Sequence, residues 1–273
     1  MLKRFAGTAL GACLAAGTAL AGQAEIADGL ELLSKREFVK AAAIFKAEHE
    51  AGNPDGLFYI GRMQELGLGT DGNLAKAVQV FQQAASNGSA HAKNRMGLLH
   101  LDGNGVLQDF SAARNLFCEA AEDGLANAQF NCGVLHAQGR GGDADAAKAV
   151  ELYAAAAEQG HVGAMNLYAT ALLSGTGIDA DTTAAFDWFE KTAARGNPLG
   201  LFQLGQMYET GNGTEADAAK AHLYYNLAGA RNHPQARAGR QRVQAGMSAE
   251  QVEAAQELAR NWKPEPATSA VSE

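Results

Sequence analysis

Hydrophobic and small residues recur along this chain with a fixed period of 36 residues. Within each period, apolar positions spaced three and four apart run up to a Gly-x-Gly pair, and a second such run follows it. This spacing predicts two amphipathic helices per period, separated by a glycine turn. A constant period in this size range indicates a repeat protein, in which each helix pair packs on its sequence neighbours.

Five full repeats are predicted, at residues 54–89, 90–125, 126–161, 162–197 and 198–233. A glycine column ends each second helix, where a left-handed backbone favours glycine: Gly52, Gly88, Gly124, Gly160 and Gly196. An Asn/Asp column begins each second helix as its N-cap: Asn73, Asp109, Asp145, Asp181 and Asp217. One bulky aromatic residue per second helix is expected to fill the core: Phe45, Phe81, Phe117, Tyr153, Phe189 and Tyr225.

These columns resemble the Sel1-like repeat, a relative of the tetratricopeptide repeat, and the run from Leu204 to Gly213 shows its motif plainly. The resemblance implies an all-α fold, a right-handed superhelical solenoid of antiparallel helix pairs. It also implies an interaction module without catalysis of its own, whose first helices line a concave groove.

The ends of the chain differ from the repeats. Residues 1–21 have the basic start, apolar run and small-x-small end of a signal peptide, with cleavage predicted after Ala21 and a periplasmic or secreted product. The alternative is a lipoprotein processed at Cys13. Residues 22–53 are predicted to form an N-terminal capping unit of tetratricopeptide type, residues 234–262 capping helices, and residues 263–273 a disordered tail.

Charge and motifs exclude several classes of function. The formal net charge is -8, and removal of Lys3 and Arg4 with the signal peptide makes it -10, which disfavours nucleic-acid binding. The Gly67–Gly72 run matches G-x-G-x-x-G but follows a predicted helix, so no dinucleotide site is expected. His100 and His136 occupy equivalent columns in adjacent repeats, too far apart to share a metal ion. We expect no cofactor, no metal and no enzymatic activity.

Cys118 and Cys132 lie almost symmetrically about the predicted turn between a second helix and the next first helix. Antiparallel helices joined at that turn would bring the two residues face to face, one helical turn from the positions bridged in similar secreted Sel1-repeat proteins. We predict a disulfide in an oxidising compartment. The alternative is a pair of buried free thiols.

The predicted partner-binding positions lie on the groove-facing arc of the first helices: Tyr59, Arg62, Arg95, Leu98, Asn131, Asn166, Gln203 and Gln206. Aromatic, arginine and carboxamide side chains suit recognition of a protein or peptide. The phenylalanines of the same arc could instead be buried against the next first helix: Phe58, Phe130 and Phe202.

The expected function is therefore a scaffold in the cell envelope that binds a protein or peptide partner. The layout resembles periplasmic Sel1-repeat regulators that restrain a sensor kinase. The alternative is a protein that binds peptidoglycan fragments or β-lactams, with or without weak hydrolysis, although the sequence offers no nucleophile beside a base.

Overall fold

The computed structural model describes residues 25–265, and every regular element in that range is an α-helix. The prediction of an all-α chain is confirmed. The chain divides into two compact units, Met1–Ala128 and Gln129–Glu273. Each unit is built from consecutive helices that pack on one another.

In the first unit, α1 covers residues 25–34. It is followed by α2 (Phe38–Glu50), α3 (Pro54–Leu66), α4 (Leu74–Ser86), α5 (Ala90–Asp102) and α6 (Phe110–Glu122). Each first helix of a repeat packs on the second helix that follows it, so α3 contacts α4 and α5 contacts α6.

Helix α7 (Ala126–Gln138) contains the boundary between the units. The second unit continues with α8 (Ala146–Glu158), α9 (Val162–Ser174), α10 (Thr182–Ala194), α11 (Pro198–Thr210), α12 (Ala218–Gly229), α13 (Ala236–Gln244) and α14 (Ala249–Asn261). The last helix starts with the predicted capping box, because the Ser248 and Gln251 side chains bond reciprocally to each other's backbone N–H.

The helix ends form where the columns predict them. Asp109 accepts hydrogen bonds from the backbone N–H groups of Ser111 and Ala112, both at 2.9 Å. Such a cap is typically worth about 1 kcal/mol. The glycine column after the second helices has φ values from +75° at Gly196 to +97° at Gly88, a region that side chains strain.

The aromatic column forms the centre of the core. Phe117 is fully buried against Gly97 of the preceding helix, and a Cβ atom on Gly97 would lie 2.6 Å from the Phe117 ring. That distance is far below van der Waals contact, so the ring occupies the space that a side chain would need. In the fourth repeat Ala169 takes the place of this glycine, and both Ala169 and Phe189 are still fully buried.

The segment that follows α14 is packed on the second unit. The backbone N–H of Glu265 donates to the carbonyl of Ala194 at 2.8 Å, and the Arg231 guanidinium lies 4.6 Å from the centre of the Trp262 ring. The predicted disordered tail therefore does not begin at Lys263. The rest of that tail, the predicted signal peptide and Cys13 lie outside the described residues.

Candidate partner-binding surfaces

The first helices of the first unit, α3 and α5, carry four of the predicted partner-binding residues and contact each other. Tyr59 and Arg62 are three residues apart on α3, and Arg95 and Leu98 are three apart on α5. This spacing places each pair on one side of its helix. All four side chains are half-buried. Glu65 lies on α3, one turn after Arg62. We call Glu65 and these four residues the first-unit surface.

Glu65 holds the two arginines in place. Arg62 Nη1 donates to Glu65 Oε2 at 2.9 Å. Arg95 Nε donates to both carboxylate oxygens at 3.1 and 3.2 Å, and its Nη2 donates to Oε1. The Glu65 side chain is 8% exposed, against 28% for Arg62 and 25% for Arg95. One nearly buried carboxylate therefore orients two guanidinium groups from neighbouring repeats.

Glu65 is not among the predicted partner-binding residues. Its position three residues after Arg62 allows an ion pair within α3, and this spacing was the available signal. The bond to Arg95 depends on how α3 and α5 are rotated against each other, which the repeat pattern does not specify.

A second polar group joins the same two repeats. Asp55 accepts a hydrogen bond from Ser89 Oγ at 2.6 Å, and its other oxygen lies 3.1 Å from His91 Nδ1. Burial tends to raise the pKa of Asp55, but the bonds to His91 and Ser89 outweigh it and lower that pKa. Ser89 Oγ also accepts from the backbone N–H of Ala92 at 3.1 Å.

This group is not arranged as a catalytic triad. In a triad the histidine lies between the serine and the carboxylate, so that it can take the hydroxyl proton. Here Asp55 lies between Ser89 and His91, and Ser89 caps α5. The arrangement fixes the start of α5 against α3.

The three phenylalanines of the predicted arc stack on histidines. His91 belongs to the repeat after Phe58, whereas His161 and His233 are the last residues of the repeats that contain Phe130 and Phe202. Ring centres lie 5.4 Å apart for Phe58 and His91, 4.4 Å for Phe130 and His161, and 4.1 Å for Phe202 and His233. Phe58 is 5% exposed and Phe202 is 6% exposed, whereas Phe130 is half-buried. Phe58 and Phe202 therefore belong to the core, as the alternative interpretation holds.

The predicted residues of the second unit differ in exposure. Asn131, Gln203 and Gln206 are half-buried, but Asn166 is only 5% exposed. Asn166 Nδ2 donates to Asn197 Oδ1 at 3.1 Å, while its own Oδ1 has no hydrogen-bond partner among the described residues. Asn166 thus faces the start of α11 and is nearly buried.

Family comparison accounts for the repeats. Residues 54–89, 90–125, 126–161, 162–197 and 198–233 each match the Sel1 repeat. This chain belongs to the Sel1-repeat family. The five repeats have the bounds that the glycine and Asn/Asp columns predict.

Solved structures show the same Sel1 fold. One is c5321, a protective antigen of uropathogenic Escherichia coli strains that displays an SLR fold, with 26% identity and a TM-score of 0.73 over 88% of this chain and 52% of that one. The chain thus spans about half the length of that antigen. A Sel1 repeat protein from Oxalobacter formigenes has 24% identity and a TM-score of 0.71, over 89% and 99% of the two chains. No curated protein matches the chain.

Sel1-repeat proteins generally mediate protein–protein interaction, and their scaffold is typically non-catalytic. Cys118 and Cys132 are both disulfide-bonded, as the sequence predicts. Within residues 25–265, no helix has the length and apolar character needed to cross a membrane.

Proposed function

We propose that this Sel1-repeat protein is an exported scaffold that binds a protein or peptide partner of the cell envelope, and that the first-unit surface contacts that partner. The observation that carries the proposal is the pair of arginines held on one carboxylate. Arg62 and Arg95 bring two positive charges to Glu65, which supplies one negative charge. The group keeps a net positive charge in a chain whose formal net charge is -8.

The two guanidinium groups retain donors for a partner. Arg62 uses only Nη1 toward Glu65, and Arg95 uses Nε and Nη2. The remaining N–H groups have no acceptor among the described residues, and a carboxylate or carbonyl oxygen of a partner would satisfy them. Because Glu65 already fixes both side chains, binding would cost less conformational entropy than for free arginines.

Apolar groups flank these donors. The Tyr59 ring stacks on Phe45 with centres 5.0 Å apart, and Leu98 is half-buried. Tyrosine and arginine beside an aliphatic side chain are the residue types that carry most binding energy in protein interfaces.

An envelope location fits the proposal. Disulfides persist in oxidising compartments such as the bacterial periplasm, and Cys118 and Cys132 are oxidised. The signal-peptide pattern of residues 1–21 supports export. Within this proposal the partner is an envelope signalling protein such as a sensor kinase, since the layout resembles periplasmic regulators built from the same repeat.

The test is capture of the partner by chemical crosslinking in the native envelope, followed by affinity purification. Charge reversal of Arg62 and Arg95 is a poor choice, because it would place three carboxylates together and destabilise the fold. The double change Arg62→Lys/Arg95→Lys keeps both charges but removes the planar fork. We expect capture to fall by about tenfold or more, with a melting temperature within about 3 °C of the parent.

The matched control is Arg237→Lys/Arg260→Lys, the same change at two exposed arginines of the second unit. This control should capture the partner like the parent chain. Unchanged capture by the Arg62→Lys/Arg95→Lys variant would place the binding surface elsewhere. Saturable thermal stabilisation by a muropeptide, with no protein captured, would favour the peptidoglycan alternative.

A further inference from the structure

The second unit contains an open cavity whose lining includes none of the predicted partner-binding residues. Its volume is about 390 Å³, and it lies between the C-terminal part of α10, the middle of α11 and α12, and the segment after α14. The lining residues are Glu190, Lys191, Ala193, Ala194, Leu204, Tyr224, Trp262 and Glu265. A cavity of this size is sufficient for one long side chain.

The segment after α14 forms one wall because it is anchored at both ends. Its Trp262 ring packs on the Arg231 guanidinium, and the Glu265 N–H donates to the last carbonyl of α10. Helix ends leave such carbonyls unsatisfied, so this bond has a defined role. The wall is therefore part of the folded unit.

Two aromatic rings line the cavity with part of their surface still open. Tyr224 stacks on Tyr208 with ring centres 5.6 Å apart, and Trp262 packs on Arg231. Neither Tyr208 nor Arg231 lines the cavity. Both rings are half-buried, so part of each ring remains exposed.

The charges that line the cavity are unbalanced. Glu190 and Glu265 supply two carboxylates, and neither forms an ion pair with a described residue. The one lining cation is Lys191, whose ammonium group lies 3.7 Å from the centre of the Trp188 ring. Burial and the charge of Asp187 raise the pKa of Glu190, and Lys220 opposes them only in part. The lining residues thus carry one more negative than positive charge.

We infer that this cavity binds the ammonium group of a lysine side chain presented by a peptide or protein. Aromatic surface attracts a cation through the ring quadrupole, and the Glu190 and Glu265 carboxylates can accept its hydrogen bonds. The aliphatic stem of the lysine would lie against Leu204 and the aromatic walls. This inference concerns a surface different from the one proposed above, and either can fail without the other.

The test uses the indole N–H signals of the ¹⁵N-labelled chain. The chain has two tryptophans, and Trp262→Phe assigns their signals. The probe is acetyl-Gly-Lys-Gly-amide, compared with the norleucine peptide, which has nearly the same shape without the charge. We expect the Trp262 signal to shift saturably with the lysine peptide, and about fivefold less affinity for the norleucine peptide.

Glu190→Gln is the informative variant, because Glu190 is exposed and its change should not affect folding. It should weaken lysine-peptide binding about threefold and leave norleucine binding unchanged. Glu257→Gln, an equally exposed change outside the cavity, should bind like the parent. Equal affinity for both peptides, or a lysine peptide that leaves the Trp262 signal unmoved, would overturn the inference.

Discussion

Equivalent positions of the first helices carry different chemistry in the two units. The position of Tyr59 and Arg95 in the first unit is occupied by Asn131, Leu167 and Gln203 in the second. In the first unit Arg95 is tied to a nearly buried carboxylate, whereas Gln203 makes no side-chain hydrogen bond to a described residue. The same repeat backbone thus supports a charged, prearranged surface in the first unit and uncharged side chains at the equivalent position in the second.

The comparison separates what holds the repeat together from what it presents. The glycine, Asn/Asp and aromatic columns hardly vary, because they cap the helices and fill the core. The outward positions vary freely, since no core contact restricts them. The proposed binding surface accordingly lies at these variable positions.

The largest expected effect comes from removing the residue that orders the first-unit surface. Glu65→Ala leaves Arg62 and Arg95 with like charges and no shared acceptor, so we expect a loss of about 2 kcal/mol in unfolding free energy. Urea denaturation measures it. Glu151→Ala, which removes an exposed ion pair with Lys148, should cost less than about 0.5 kcal/mol. Equal losses for the two variants would show that Glu65 has no special role.

Acid should affect the two units differently. Burial lowers the pKa values of His161, His222 and His233, all in the second unit. Below about pH 6.5 these histidines take up protons in the unfolded chain but stay neutral in the folded one. Unfolding free energy is therefore unaffected by them above about pH 6.5 and decreases as the pH falls below it. In the first unit the pKa of Asp55 is lowered, so its ionised form stabilises the fold fully above about pH 4. That stabilisation is lost as the pH falls further.

Hydrogen exchange at about pH 7.5 and about pH 5 tests this difference. Core amides of the second unit should lose more protection than those of the first. The sharper variant is His222→Leu, because His222 is fully buried, both ring nitrogens lack hydrogen-bond partners among the described residues, and Gln244 lies near but out of bonding geometry. This variant should gain about 1 kcal/mol and show a weaker pH dependence. A loss of stability would contradict this account of His222.

The smallest expected effect lies at the amide positions of the second unit. Gln203→Ala/Gln206→Ala removes two half-buried side chains that bond to no described residue, so unfolding free energy should change by less than about 0.5 kcal/mol. If the partner contacts only the first unit, crosslinking capture should also be unchanged. A clear loss of capture would extend the binding surface into the second unit.

The repeat register and the helix ends could be predicted because they depend on local chemistry. Gly88 ends a helix through its positive φ, and Asp109 begins one through its own side chain. The burial of the Phe117 ring against Gly97 follows from the same register. Each of these features needs only the residues within one repeat.

Features that depend on contacts between repeats could not be predicted. Asn166 bonds to Asn197, which caps the first helix of the next repeat, and the shared role of Glu65 depends on Arg95. The packed segment near Glu265 was missed because its proline-rich composition is typical of disorder, while its bond to Ala194 joins residues far apart in sequence. These contacts depend on how neighbouring helices are rotated and on residues distant in sequence, and the repeat pattern specifies neither.

The most direct test of the central claim is site-specific photocrosslinking at the first-unit surface. A benzophenone amino acid is placed at Leu98, and separately at the exposed control positions Val39 and Leu107. After irradiation in the native envelope, we expect a partner adduct from position 98 and none from positions 39 and 107. Adducts from either control position without one from position 98 would contradict the claim that this surface binds the partner.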